Sequence, residues 1–198
     1  VMISHVSTYM AAYSHMLTLT RGLDHEADIV SAAFTPMVYH IGDHVFVFGP
    51  LICGGTAVIG RKPDGHNMAK ACTAERVTCL FGGSPQFVEE FVSAVNESPA
   101  AYDLSSITIM TFGWAPMAPA SLNAFKAICN PDVTVYELIG QTEAVACHRF
   151  FIDRYQERHR REAPAINHVG KPSPIMAATV FDEAGNDLRS NPNQAGEA

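Results

Sequence analysis

The sequence predicts an α/β fold built on a largely parallel sheet. Short apolar runs that suit strands alternate along the chain with helical segments of about ten residues, the order typical of parallel sheets. Several of these runs, such as residues 77–81, are continuously apolar, as expected of strands that are covered on both faces. The composition agrees, because 47% hydrophobic and 17% charged residues in a chain of 198 support a packed core rather than wholesale disorder.

The first third of the chain predicts two helices and two strands. Residues 4–19 place apolar side chains at helical spacing, and Ser4 or Ser7 can cap the helix. Residues 28–36 predict a short apolar strand that ends at a proline loop. The apolar run 45–60 is interrupted by Gly and Pro and is shorter than the ~20 residues of a membrane span. It predicts a buried helix over 44–51 and a strand over 56–59.

The rest of the chain continues the alternation. Helices are predicted over 67–75, 85–95 and 119–128, the second with one apolar side and a proline near its start. Strands are predicted over 77–81, 106–112, 133–138 and 178–181, and a turn over 182–186 follows the last strand.

Charge and cysteine content disfavour several classes of protein. Thirteen Lys and Arg against twenty Asp and Glu give a net charge of -7, which disfavours binding to the backbone of a nucleic acid. The basic cluster at 158–161 has acidic neighbours and suits a solvated surface helix or loop. Five cysteines, with no Cys-x-x-Cys, predict reduced core residues of a cytoplasmic protein. We expect no transmembrane segment.

Candidate functional loops follow the predicted strands, because ligands of parallel α/β sheets bind beyond the carboxyl ends of the strands. The loops after Phe34, Phe81, Phe112 and Leu138 are therefore the places to examine. Three of them carry distinctive sequences, and two more motifs follow: PMVYH (36–40), FGWAPMAP (112–119), ELIGQTE (137–143), VGKP (169–172) and GE (196–197). No single motif is decisive, but five in this order form a specific signal.

Together these motifs resemble the adenylate-forming (AMP-binding) superfamily, which comprises acyl- and aryl-CoA synthetases, luciferases and peptide-synthetase adenylation domains. The PMVYH segment favours the acyl-CoA synthetase (fatty-acid–CoA ligase) branch. The resemblance implies a fragment of the multilayer, largely parallel-sheet N-terminal domain. Residues 1–198 are then expected to be a partial adenylation domain that lacks the phosphate loop and the C-terminal domain.

The resemblance implies ATP-dependent activation of a carboxylic, fatty acid to an acyl-adenylate, followed by transfer to CoA. A carboxylate is already ionised at pH 7, so the first step needs positioning and positive charge more than a base, and Mg²⁺ can supply that charge. Glu143 resembles the family's Mg²⁺ ligand, and Thr142 resembles the residue that bonds a nucleotide phosphate oxygen. Taken alone, Glu143 also fits a helix-entry residue.

Further residues are assigned to the nucleotide and acid subsites by the same resemblance. The nucleotide set is Gly113, Ala115, Pro116, Glu137, Leu138, Ile139, Gly140, Gln141 and Thr142, although residues 113–116 also fit an ordinary turn. His40, expected at the mouth of the carboxylate pocket, joins Thr142 and Glu143 as a candidate catalytic residue. The acyl-pocket set is His40, Trp114 and Gly140. His40 and His44 also leave a zinc site or a core histidine as alternatives.

Three departures from the family pattern matter for function. Ile139 stands where an aromatic residue usually packs on the adenine, so it offers contact area without ring stacking. Trp114 stands where many relatives have Gly or another small residue. It would shorten the acyl pocket or close one branch of it if it points inward, and it has no bearing on substrate if it points outward. Neither Gly-rich segment, 54–56 or 82–84, leads into a phosphate-loop lysine.

Two other functions stay open. One is a different adenylate-forming enzyme, luciferase-like or a peptide-synthetase domain. The other is a non-catalytic relative that binds nucleotide or acyl chains, and Ile139 and Trp114 are the residues that keep it open.

Overall fold

The helices and strands alternate along the chain as predicted. The computed structural model describes residues 2–19, 29–191 and 194–197. Within them the helices are α1 His5–Leu19, α2 His40–His44, α3 Phe48–Ile52, α4 Gly65–Ala74, α5 Pro85–Glu97, α6 Pro119–Ile128 and α7 Gln156–Glu162. The strands are β1 Val30–Ala33, β2 Thr56–Ile59, β3 Cys79–Gly83, β4 Ile109–Phe112, β5 Thr134–Gln141, β6 Ala144–Phe151 and β7 Lys171–Pro172. None of these helices is long and apolar enough to cross a membrane.

All seven strands of the described ranges form one sheet in the order β2-β1-β3-β4-β5-β6-β7. Neighbours from β2 to β5 pair in parallel, whereas β6 and β7 add two antiparallel strands at one edge. The prediction of an α/β fold with a largely parallel sheet is confirmed. Because β1, β3, β4 and β5 run in the same direction, their carboxyl ends meet at one edge of the sheet.

The core consists of two layers, one on each face of the sheet. Side chains alternate between the faces, so Met110 of β4 joins the layer under α4, α5 and α6, and Ile109 joins the other layer. On that other face the sheet packs against Met16 and Leu19 of α1 and against Phe46. Both faces of β3 are buried, which explains its continuously apolar sequence.

Four segments differ from the sequence-based predictions. The helix predicted over 44–51 is two short helices, and Pro50 lies in the first turn of α3, where a backbone N–H is not needed. The strand predicted over 178–181 is absent, because there only Phe181 forms isolated bridges, to Asp187 and Glu197. Strand β6 was not predicted. The strand predicted over 28–36 is shorter, and residue 28 lies outside the described residues.

Candidate active site

A cavity of about 770 Å³ lies at the carboxyl ends of the parallel strands. The segments that follow or end β1, β3, β4 and β5 reach it through Thr35, Gly83, Trp114 and Gly140. The loops chosen from the sequence therefore converge on one space, as the common strand direction requires.

Most of the site residues predicted from the sequence line this cavity. Those that line it are His40, Gly113, Trp114, Glu137, Leu138, Ile139, Gly140, Gln141 and Thr142. Ala115, Pro116 and Glu143 were predicted with them but are not among the lining residues. Ala115 and Pro116 follow Gly113 and Trp114 in the loop between β4 and α6, and Glu143 lies on an exposed hairpin tip.

Glu137 brings a buried carboxyl group to the cavity wall. It lies in β5 between Phe112 of β4 and Phe150 of β6, and its residue is 3% exposed. Its Oε1 atom has no hydrogen-bond partner among the described residues. Burial raises the pKa of this carboxyl to about 7, so near neutral pH it can either donate or accept a hydrogen bond.

Thr142 and Glu143 form the tip of a hairpin between β5 and β6. Gln141 pairs with Ala144 across the turn, which leaves only these two residues to connect the antiparallel strands. The pairing is irregular between Ile139 and Gln141, beside Gly140, and such irregularities are common next to active sites. Glu143 therefore precedes a strand rather than a helix, so the helix-entry interpretation is wrong, and its side chain is exposed.

Gly113 and Trp114 form the turn that follows β4. The Gly113 N–H donates to the Gly83 carbonyl over 3.0 Å, and a Cβ atom at position 113 would come 2.6 Å from the Leu138 carbonyl oxygen. A glycine is therefore required where β4 passes between β3 and β5. Trp114 has a positive φ of 67°, and its ring meets that of Phe81 edge to face at 5.6 Å.

His40 opens α2 and lines the cavity from the layer that contains α1. Its ring centroid lies 4.0 Å from that of His44, nearly perpendicular to it. Burial, followed by the neighbouring His44, lowers the pKa of His40 below its usual value, so the ring is neutral at pH 7. In the described ranges no three His, Cys, Asp or Glu residues are grouped as a metal site would require, which leaves the zinc alternative without support.

Several lining residues were missed by the sequence analysis. The loop after Phe81 was singled out by the carboxyl-end rule, but Phe81, Gly82 and Gly83 were not named as site residues. Met68 and Phe87 come from the helices α4 and α5, whose apolar positions look like ordinary core. Asn167 follows α7 in a segment whose sequence does not indicate a binding residue.

The AMP-binding enzyme family model matches residues 1–198, that is, the whole chain. The chain belongs to the AMP-binding enzyme family. It is 30% identical over 157 residues to a Humulus lupulus protein named "Probable CoA ligase CCL5", covering 79% of this chain and 27% of that protein. The chain thus spans about a quarter of the length of this AMP-binding relative.

Solved structures of other proteins share the fold of this chain. A luciferase-like enzyme from the mealworm Zophobas morio superposes with a TM-score of 0.75 at 20% identity, over 98% of this chain and 42% of that one. O-succinylbenzoate coenzyme A synthetase from Bacillus subtilis, in complex with ATP and magnesium, gives a TM-score of 0.75 at 16% identity, over 98% and 36%. The fold is therefore that of the N-terminal domain of adenylate-forming enzymes.

Proposed function

We propose that this chain is the nucleotide- and acid-binding core of an ATP-dependent acyl-CoA ligase acting on a fatty or other carboxylic acid. The observation that carries the proposal is the meeting of the turn at Gly113, the hairpin tip at Thr142 and the ring of His40 around one cavity. The family match and the relative named as a CoA ligase support the same reaction.

The proposed reaction has two steps. A carboxylate oxygen of the acid attacks the α-phosphorus of ATP, and the bond to pyrophosphate breaks. The sulfur of CoA then attacks the acyl carbonyl carbon, and AMP leaves. Both reactants of the first step are anions, so the site has to orient them and offset their charge.

His40 and Thr142 can supply orientation at neutral pH. A neutral imidazole carries one N–H donor, which suits a bond to the reacting carboxylate without a change of protonation. The Thr142 hydroxyl at the hairpin tip can donate to a phosphate oxygen of the nucleotide.

Glu143 suits a magnesium ligand. Mg²⁺ is usually held by one or two carboxylates together with phosphate oxygens. Glu143 presents one exposed carboxylate directly beside Thr142, which lines the cavity. When bound, Mg²⁺ would supply positive charge that offsets the charge of the triphosphate.

The nucleotide is proposed to lie along the turn Gly113, Ala115 and Pro116 and along the end of β5, residues 137–142. Gly113 allows the backbone to approach a ligand closely, because it has no side chain beyond the strand edge. Ile139 offers apolar contact without ring stacking.

Parts of the reaction are proposed to depend on polypeptide outside these 198 residues. Among the described residues that line the cavity, none is a lysine or an arginine, and no glycine-rich segment leads into a phosphate-loop lysine. The phosphate loop and the C-terminal domain of the ligase would supply these groups. We place the enzyme in the cytoplasm, since its five cysteines are all free thiols.

The proposal is tested on the complete ligase by ATP–pyrophosphate exchange with a panel of carboxylic acids, followed by detection of the CoA thioester. We expect Glu143→Gln to lower the exchange rate by about 10-fold or more, because a lost metal ligand costs at least as much as a lost supporting residue. Glu183→Gln is the matched control, since Glu183 lies in another surface turn, away from the cavity. Equal rates in the two variants would contradict the role of Glu143.

The same assays separate the alternative functions. Exchange without thioester would identify another adenylate-forming enzyme. Nucleotide or acyl-chain binding without exchange for any acid would identify a non-catalytic relative.

A further inference from the structure

Trp114 holds a backbone conformation that bulky residues rarely adopt. Its φ of 67° lies in the left-handed region, which is disfavoured for residues with a Cβ atom but readily adopted by glycine. Strained residues of this kind persist only where their surroundings hold them, and they cluster at ligand sites. What holds Trp114 therefore bears on what the site binds.

The indole leans towards β3. It contacts the ring of Phe81 edge to face, and its Cζ3 atom lies 3.5 Å from the point that a Cβ of Gly83 would occupy. The same Cβ would come 2.9 Å from Phe87, so the absence of a side chain at Gly83 leaves room for both rings. Ile139 lies on β5, which pairs with β4 on the side away from β3. The indole is thus directed away from Ile139 and does not replace the aromatic residue that relatives place there.

The open surface of the indole is part of the cavity wall. Trp114 is 58% exposed although it lines the cavity, whereas Phe81, behind it, is 3% exposed. Phe34, Tyr39 and Phe87 line the same space. Flat aromatic walls favour offset-stacked or edge-to-face packing with a flat ligand.

We infer that Trp114 is the specificity-determining residue that closes the acid subsite on the side of β3. The substrate is a compact, flat carboxylic acid of a single aromatic ring, which packs against the indole, rather than a long-chain fatty acid. The inference rests on the proposed ligase function and narrows its substrate class.

The test measures kcat/KM of the complete ligase for benzoate, cinnamate, hexanoate, decanoate and hexadecanoate. The variants are Trp114→Gly, Trp114→Ala and Trp114→Phe, with Phe48→Ala as the control outside the cavity. We expect the wild type to favour the aromatic acids over decanoate at least tenfold. Trp114→Gly should raise the decanoate-to-benzoate ratio about fourfold for each extra methylene group that the enlarged subsite buries. Trp114→Phe should keep most of the wild-type preference, and Phe48→Ala all of it.

The possible failures are distinguishable. A wild type that favours hexadecanoate, or an unchanged acid profile in Trp114→Gly and Trp114→Ala, overturns the inference and leaves the ligase function standing. Absence of adenylate and thioester with every acid in the wild type overturns the proposed function and the inference with it. Melting temperatures of the variants show that they are folded, and Trp114→Gly should melt no lower than Trp114→Ala because glycine relieves the positive φ.

Discussion

A carboxyl group with a pKa of about 7 forms part of the cavity wall at Glu137. Its neighbours on both strands are phenylalanines, Phe112 and Phe150, so burial rather than a charged partner sets its protonation. Near pH 7 this residue is divided between its two protonation states, and a bound ligand that donates or accepts a hydrogen bond would shift that balance.

The raised pKa of Glu137 makes folding stability depend on pH. The folded pKa lies above the usual value of 4.5, so the contribution of Glu137 to the free energy of unfolding is largest below pH 4.5 and is lost as the pH rises through about 7. We expect Glu137→Gln to match the wild type near pH 4 and to exceed its stability by about 1–3 kcal/mol at pH 8. Urea denaturation at both pH values measures this, with Glu183→Gln as an exposed control. Parallel pH profiles for wild type and Glu137→Gln would contradict the prediction.

The position of Glu137 at the end of a strand was predictable from the sequence, whereas its surroundings were not. Its place at the end of a strand followed from the apolar run before it, and its motif marked it as a site residue. Its burial arises from Phe150 on β6, a strand that the sequence did not indicate. The same holds for Trp114, where the turn was predicted but the direction of the indole was set by Phe81 and Gly83.

At the scale of elements, helix α4 begins at a side-chain cap and contributes one residue to the cavity wall. Asp64 precedes the helix, and its side chain accepts a hydrogen bond from the Asn67 N–H at 3.0 Å. The helix then carries Met68 to the cavity wall. The cap therefore helps to fix one side of the site.

Removal of this cap should lower stability. We expect Asp64→Ala to lower the free energy of unfolding by about 1 kcal/mol, because one N–H of the first turn loses its partner. Asp64→Asn keeps an acceptor oxygen and should stay close to the wild type. Urea denaturation of both variants is the measurement, and an equal loss in both would show that charge rather than the cap is responsible.

The elements that the sequence predicted are those with a simple burial pattern. The parallel strands β1, β3 and β4 are largely apolar because both of their faces are covered, and their positions followed directly from that. Strand β6 escaped prediction because it carries Arg149, which is 4% exposed. Its Nε donates to the Thr18 hydroxyl of α1, and its guanidinium lies 5.9 Å from the centre of the Tyr136 ring. A buried arginine contradicts the rule by which strands are recognised, and its partners are distant in sequence.

At the scale of the whole molecule, the described residues form a cavity that offers hydrogen-bonding groups but little positive charge. The described residues that line it include a glutamate and a histidine of lowered pKa, with no lysine or arginine. Transfer to phosphorus depends mainly on positioning and on charge that offsets the phosphate oxygens. We therefore expect these 198 residues alone to show no ATP–pyrophosphate exchange above background, whereas the complete ligase does. Measurable exchange by the isolated chain with any acid would refute this.

The two-residue turn between β5 and β6 has a consequence for changes in chain length. Side chains of a strand alternate between its faces, so one residue inserted between Leu138 and Thr142, with the pairing to β6 kept, would move Leu138 to the place of Glu137 and turn Glu137 to the opposite face. A hydrophobic side chain would then stand where the carboxyl now forms part of the cavity wall. Substitutions can alter the chemistry of this segment, but its length is fixed by the antiparallel partner, so insertions that vary the site are expected elsewhere around the cavity.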